Sequence, residues 1–135
     1  MYTPSISFFA FFALLFSLAQ AATIHWNQTE VESGLTKRVD NAKFTWFDVG
    51  LGACGHNNVA SDYVVALSLA DFGAGYPGPN CGRKLQISYG GKTATAEVVD
   101  KCPGCPQGGL DLSNGLFAFF DNPAIEVIYG SWNYI

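Results

Sequence analysis

Charge is scarce in this sequence. Only 13% of its 135 residues are Asp, Glu, Lys or Arg, and its seven Lys and Arg form no basic run. With eleven acidic residues the formal net charge is −4. A chain of that balance cannot neutralise a row of phosphates, so nucleic acid is excluded as the expected partner. Scarce charge beside 49% apolar residues also excludes a disordered polyelectrolyte or a coiled coil. There are no internal repeats. What remains, with 15 Gly and 6 Pro, is a turn-rich globule of about one domain.

Residues 1–21 stand apart from that globule. The block from Phe8 to Ala19 carries no charge and is followed by Ala19-Gln20-Ala21, a small-x-small cleavage pattern. The order is that of a secretory signal peptide, although the usual n-region Lys or Arg is missing. Its apolar run falls well short of the ~20 residues that span a bilayer. The mature protein is therefore expected to be secreted, extracellular and free of membrane. Asn27-Gln28-Thr29 is a glycosylation sequon. Lys37-Arg38 is either a dibasic processing site, which makes residues 22–38 a pro-segment or disordered linker, or an ordinary solvated charge pair. The folded domain is expected over 39–135.

Cys54, Cys81, Cys102 and Cys105 all lie in the exported part. An even number in an oxidising compartment implies two structural disulfides. Three pairings are possible. Pro103 and Gly104 hold Cys102 and Cys105 close together, which favours Cys102 with Cys105 and Cys54 with Cys81. A single C-x-x-C is too little for a structural zinc site, and no βαβ pattern flanks it as in a thioredoxin-like redox site. No metal or cofactor is expected.

Lys43 to Val49 is rich in aromatic and β-branched residues and reads as a first strand. Tyr63 to Leu67 is a second apolar run, with one helical turn at Ser68 to Phe72 and a Gly/Pro loop from Gly73 to Gly82. Leu85–Tyr89 and Lys92–Val99 alternate around Gly90-Gly91, the pattern of a β-hairpin. Ser113 is placed to cap a short helix through Phe120. Ile125–Tyr129 and Trp132–Ile135, separated by Gly130-Ser131, close the chain. Five or six short strands with one or two short helices predict a mainly β fold, a small closed barrel.

Thr45-Trp46-Phe47, Gly52-Ala53-Cys54-Gly55, Asn80-Cys81-Gly82, Val98-Val99-Asp100 and Leu110-Asp111-Leu112-Ser113 occur in an order that resembles secreted double-psi β-barrel proteins. The likeness covers about residues 43–135. It is to the fungal branch of the rare-lipoprotein-A-like and expansin-like group, with barwin, kiwellin and papain-inhibitor relatives. It implies a six-stranded double-psi barrel, and it agrees with pairing Cys54 to Cys81. In the expansin-like pattern Thr45, Asp100 and Asp111 line a polysaccharide groove.

Two carboxylates on one surface are what glycoside hydrolysis requires, one as acid and one as base. Asp111 and Asp100 are the candidates. The family-45 endoglucanases, however, place their base on the first strand, and Asp48 lies one residue out of that register, on the opposite strand face. Where expansins carry an aromatic two residues after the first Asp, this chain has Cys102. It also holds one barrel without the second sandwich domain of full expansins, so weak affinity for a polymer surface is expected. Each site residue has an ordinary alternative: Asp100 and Asp111 as acceptors in loop turns, Thr45 as a plain β-former, His56 as a surface turn residue. One of Trp46 and Phe47 should be core and the other exposed; Tyr76 is the best exposed aromatic for stacking on a sugar. The expectation is a monomeric, non-catalytic domain binding cell-wall polysaccharide through Thr45, Asp100, Asp111, Phe47, Tyr76 and His56. The alternatives are a glycan-cleaving enzyme and a protease inhibitor or effector that binds a secreted protein.

Overall fold

The computed structural model describes residues 37–135. The expected signal peptide, the Asn27 sequon and residues 22–36 of the expected linker lie outside the described residues. Among the described residues six strands close into a barrel. They are β1 (Val39–Phe47), β2 (Val64–Ser68), β3 (Lys84–Tyr89), β4 (Lys92–Cys102), β5 (Leu110–Ser113) and β6 (Ile128–Tyr134), in the spatial order β1-β5-β2-β4-β3-β6. Helix α1 (Leu69–Phe72) follows β2 and α2 (Asn114–Phe120) follows β5. The pairs β1/β5 and β2/β4 are parallel, and the others are antiparallel.

The strand alternation sends one set of side chains inward. Phe44, Val65, Leu67, Leu85, Ile87, Ala96, Val98, Leu110 and Leu112 fill the barrel, and Phe72, Leu116, Phe117 and Phe120 from the two helices pack against them. Burying each large side chain supplies roughly 1.5–3 kcal/mol. The hairpin forms where alternation and Gly-Gly place it: Gly90 and Gly91 adopt φ of 56° and 78°, the left-handed values that a two-residue turn between twisted strands requires.

The structure corrects several boundaries. β1 starts at Val39, four residues before the expected Lys43, because Val39 to Phe44 pair with β6. The expected break at Gly130-Ser131 is absent, and β6 runs through it. Gly130 is there for close packing: an added Cβ would lie 2.5 Å from the Ser88 carbonyl oxygen and collide with the Phe44 ring. Ser113 occupies the N-cap position of α2 but does not cap it. Its hydroxyl donates to the Asp62 carbonyl at 2.5 Å and accepts from Val64 N–H at 3.4 Å, tying β5 to the start of β2. Neither Trp46 nor Phe47 is fully core or fully exposed. Trp46 packs against the core and donates its indole N–H to the Pro123 carbonyl at 3.1 Å, while Phe47 lies on the same strand face as Thr45.

The disulfides are Cys54–Cys81 and Cys102–Cys105, with Cα separations of 5.6 and 5.4 Å. Arg38, of the dibasic pair, donates to Asp40 at 2.6 Å and to the Ser131 hydroxyl of β6 at 2.7 Å.

Candidate functional site

The site is a row of residues written by strand register. Thr45 of β1 is paired with Asp111 of β5, Asp111 with Ala66 of β2, and Ala66 with Asp100 of β4. Partners in register point to the same side of a sheet, so Thr45, Asp111 and Asp100 share one face. The row crosses three interstrand spacings of ~4.8 Å, about 14 Å in all.

Asp100 reaches this row only because β4 is irregular. Val98 is opposite Val65 while Asp100 is opposite Ala66, so Val99 is an extra residue. Without that bulge Asp100 would follow Val98 into the interior, two residues on. The bulge is held by backbone bonds from both sides of the first disulfide. Cys54 N–H donates to the Val99 carbonyl at 3.0 Å, and Gly82 N–H donates to the Val98 carbonyl at 2.9 Å. Gly52 permits the approach, since any Cβ there would strike the Val99 carbonyl oxygen.

The two carboxylates differ in what surrounds them. Asp100 Oδ1 accepts Ala53 N–H and Lys101 N–H, each at 2.8 Å, and so fastens the Gly52–Cys54 loop to β4. Asp111 Oδ1 accepts the Thr45 hydroxyl at 2.6 Å, the one side-chain hydrogen bond it makes among the described residues. Asp111 is half-buried, and burial raises its pKa above the usual carboxylate value. The Thr45 bond pulls in the opposite direction, and the negative charge of Asp100 adds to the rise. Asp111 therefore holds its proton more tightly than a free aspartate does.

Beside this pair is a cavity of about 240 Å³ lined by Lys43, Thr45, Cys102, Gly104, Cys105 and Pro106. Lys43 was not among the expected site residues, yet it lies two residues from Thr45 on the same strand and hence on the same face. Asp71 was also missed. Its Oδ2 accepts Gly108 N–H at 2.6 Å and the Ser68 hydroxyl at 2.5 Å, anchoring the loop that joins β4 to β5. Nothing in its one-turn helix signals that role.

The remaining expected residues lie elsewhere. His56 lines a second cavity of about 480 Å³ with Asn58, Asp62, Tyr63, Lys84 and Glu97, not the one at Thr45. The carboxylates there have partners: Asp62 accepts Val59 N–H at 2.9 Å, and Glu97 is 3.6 Å from Lys84 Nζ. Tyr76 is 77% exposed on the Gly/Pro loop, its hydroxyl beside Gly55. That hydroxyl is next to the loop that Asp100 fastens.

No protein-family model matches the chain. The Asp f 7 allergen homolog of Arthroderma benhamiae is 44% identical over 77 residues, and the papain inhibitor of Streptomyces mobaraensis 38% identical over 81. Each match takes in 56% of this chain, but only 27% and 57% of those relatives' own lengths. Among solved structures, the Streptomyces papain inhibitor superposes with a TM-score of 0.67 at 33% identity, covering 73% of this chain and 94% of that one. A Clavibacter michiganensis expansin in complex with cellohexaose superposes at 0.64 with 22% identity, over 73% of this chain and 50% of that one, a likeness of fold.

Proposed function

The chain belongs to the double-psi β-barrel family that includes the Streptomyces papain inhibitor, and from this we propose that it is a secreted module whose Thr45–Asp111 groove binds polysaccharide without cleaving it. The observation that carries this reading is the inequality of the two carboxylates. Asp111 is half-buried, and burial together with Asp100 raises its pKa. Asp100, the other carboxylate on that face, has its position dictated by two backbone N–H groups and serves the fold. Hydrolysis needs a second carboxylate placed for activating water. Asp48 does not supply it, because it is exposed and accepts from Asn114 at 3.1 Å. What the face offers is a row of polar groups, suited to an extended ligand rich in hydroxyls.

A pull-down panel of insoluble glucan, chitin and peptidoglycan tests this, scored for both retention and released sugar. The expected result is retention on at least one polymer with sugar release at blank level. Asp111→Asn should weaken retention roughly fivefold, the effect of about 1 kcal/mol for one hydrogen bond. Release well above blank that vanishes in Asp111→Asn would instead assign a glycan-cleaving enzyme. The protein-target reading is favoured by one observation, the 33% identity over nearly the whole papain inhibitor. It predicts inhibition of a papain-type protease and no retention on any polymer.

A further inference from the structure

We propose that the Cys102–Cys105 disulfide is a thiol-exchangeable switch in the wall of the groove, with Asp111 as the proton donor to the sulfur that leaves. Three features of the site carry this. The two Sγ atoms and a carboxylate oxygen of Asp111 all lie within 4.8 Å of one another. Both cysteines line the 240 Å³ cavity and are partly exposed, while Pro103 and Gly104 between them are exposed and an added Cβ at Gly104 meets nothing within 4 Å. An incoming thiolate therefore has a path. Cys54 and Cys81 are also partly exposed, but they pack against the core, line neither cavity and belong to no such cluster with a carboxylate.

Exchange proceeds in two balanced steps. A small-molecule thiolate attacks one sulfur of the pair, a new S–S bond forms, and the Cys102–Cys105 bond breaks. The departing sulfur carries the electron pair and takes the proton from the Asp111 carboxyl, which regains one from water. A second thiolate then attacks the outer sulfur of the mixed disulfide, releasing the oxidised small-molecule disulfide. The freed protein sulfur is protonated by water. In all, two thiols are oxidised and one protein disulfide is reduced to a dithiol. Loss of the bond leaves two free thiols in the wall of the cavity that Thr45 lines.

A leaving thiolate is a poor leaving group unless it is stabilised, so a proton donor at the right place accelerates its departure. The charged group that acts on Asp111 is Asp100 on β4, and Lys43 of β1 lines the neighbouring cavity. Asp100 favours the protonated carboxyl and the Thr45 hydrogen bond opposes it. Burial adds to the first effect.

The full chain with both disulfides intact is incubated with reduced glutathione from about pH 4, near the ordinary aspartate value, to about pH 9, quenched with N-ethylmaleimide, and mapped by peptide mass. Labelling should reach Cys102 and Cys105 at least about tenfold faster than Cys54 and Cys81. The rate ratio of wild type to Asp111→Asn should exceed one at the acid end and fall to one or below as Asp111 ionises, since an ionised carboxylate repels the incoming thiolate. Thr45→Ala keeps the acid but removes the bond that lowers its pKa, and should move that crossover to higher pH. It decides the matter if Asp111→Asn does not fold. Equal labelling of the two disulfides, or a rate ratio independent of pH, would overturn the proposal.

Discussion

The two disulfides of this barrel sit in different surroundings, although all four cysteines are half-buried. Cys54–Cys81 joins residues 27 apart, packs against the core, and flanks the backbone bonds that hold the Val99 bulge. Cys102–Cys105 joins residues 3 apart and lines a cavity at the surface. The first fastens a long loop whose position decides where Asp100 points. The second closes a turn that Cys105 N–H to the Cys102 carbonyl, at 3.3 Å, already forms. One bridge therefore supports the frame of the site, and the other contributes to its wall.

The largest expected effect comes from removing the bridges as pairs. Chain-entropy arguments give Cys54→Ala/Cys81→Ala a loss of roughly 3–4 kcal/mol, against about 2 kcal/mol for Cys102→Ala/Cys105→Ala. In a barrel of this size the first should lower Tm by well over ~10 °C, and the second by about half as much. Calorimetry of both variants checks the order. Equal losses would mean that the short bridge also holds tertiary structure, and the contrast between the regions would fail.

Glycines sharpen the same contrast at smaller scale. Gly52 lies against the Val99 carbonyl, where a methyl group has no room, whereas Gly104 faces open space. Gly52→Ala should cost about 1–3 kcal/mol through overpacking. Gly104→Ala should stay within about 0.5 kcal/mol. Urea unfolding midpoints at constant slope separate the two, and a neutral Gly52→Ala would show that the loop can retreat from the bulge.

Local pattern made much of the frame legible. Alternation gave the strands of the hairpin, Gly-Gly gave its turn, and the Pro-Gly spacer favoured the correct cysteine pairing. These signals are short-range, each carried by a few adjacent residues. Features that depend on contacts between distant segments were not legible. Gly130 reads as a break until Phe44 and Ser88 are seen packed on it, and Ser113 reads as a helix cap until Asp62 and Val64 take its hydroxyl. The bulge at Val99 has no glycine or other local mark, although it moves Asp100 from the interior to the site face. Period two could have found Lys43 from Thr45. His56 was grouped with the groove because it follows Cys54, but that loop turns it toward the second cavity.

The smallest expected effect is on the pH dependence of stability, and it tests whether the site side of the contrast carries an electrostatic cost. Burial, aided by Asp100, raises the Asp111 pKa in the folded state above the ~3.9 of an unfolded Asp. The folded protein then binds this proton more tightly than the unfolded chain does. That contribution to stability is complete below about pH 4 and is lost as pH rises through the folded value. Asparagine in its place is neutral at every pH, and its carbonyl can still accept the Thr45 hydroxyl. The Tm of Asp111→Asn should therefore match the wild type near pH 3.5 and exceed it by a few degrees at most at pH 7. A variant that melts below the wild type at pH 7 but not at pH 3.5 would show that the fold stabilises the ionised carboxylate more than burial disfavours it.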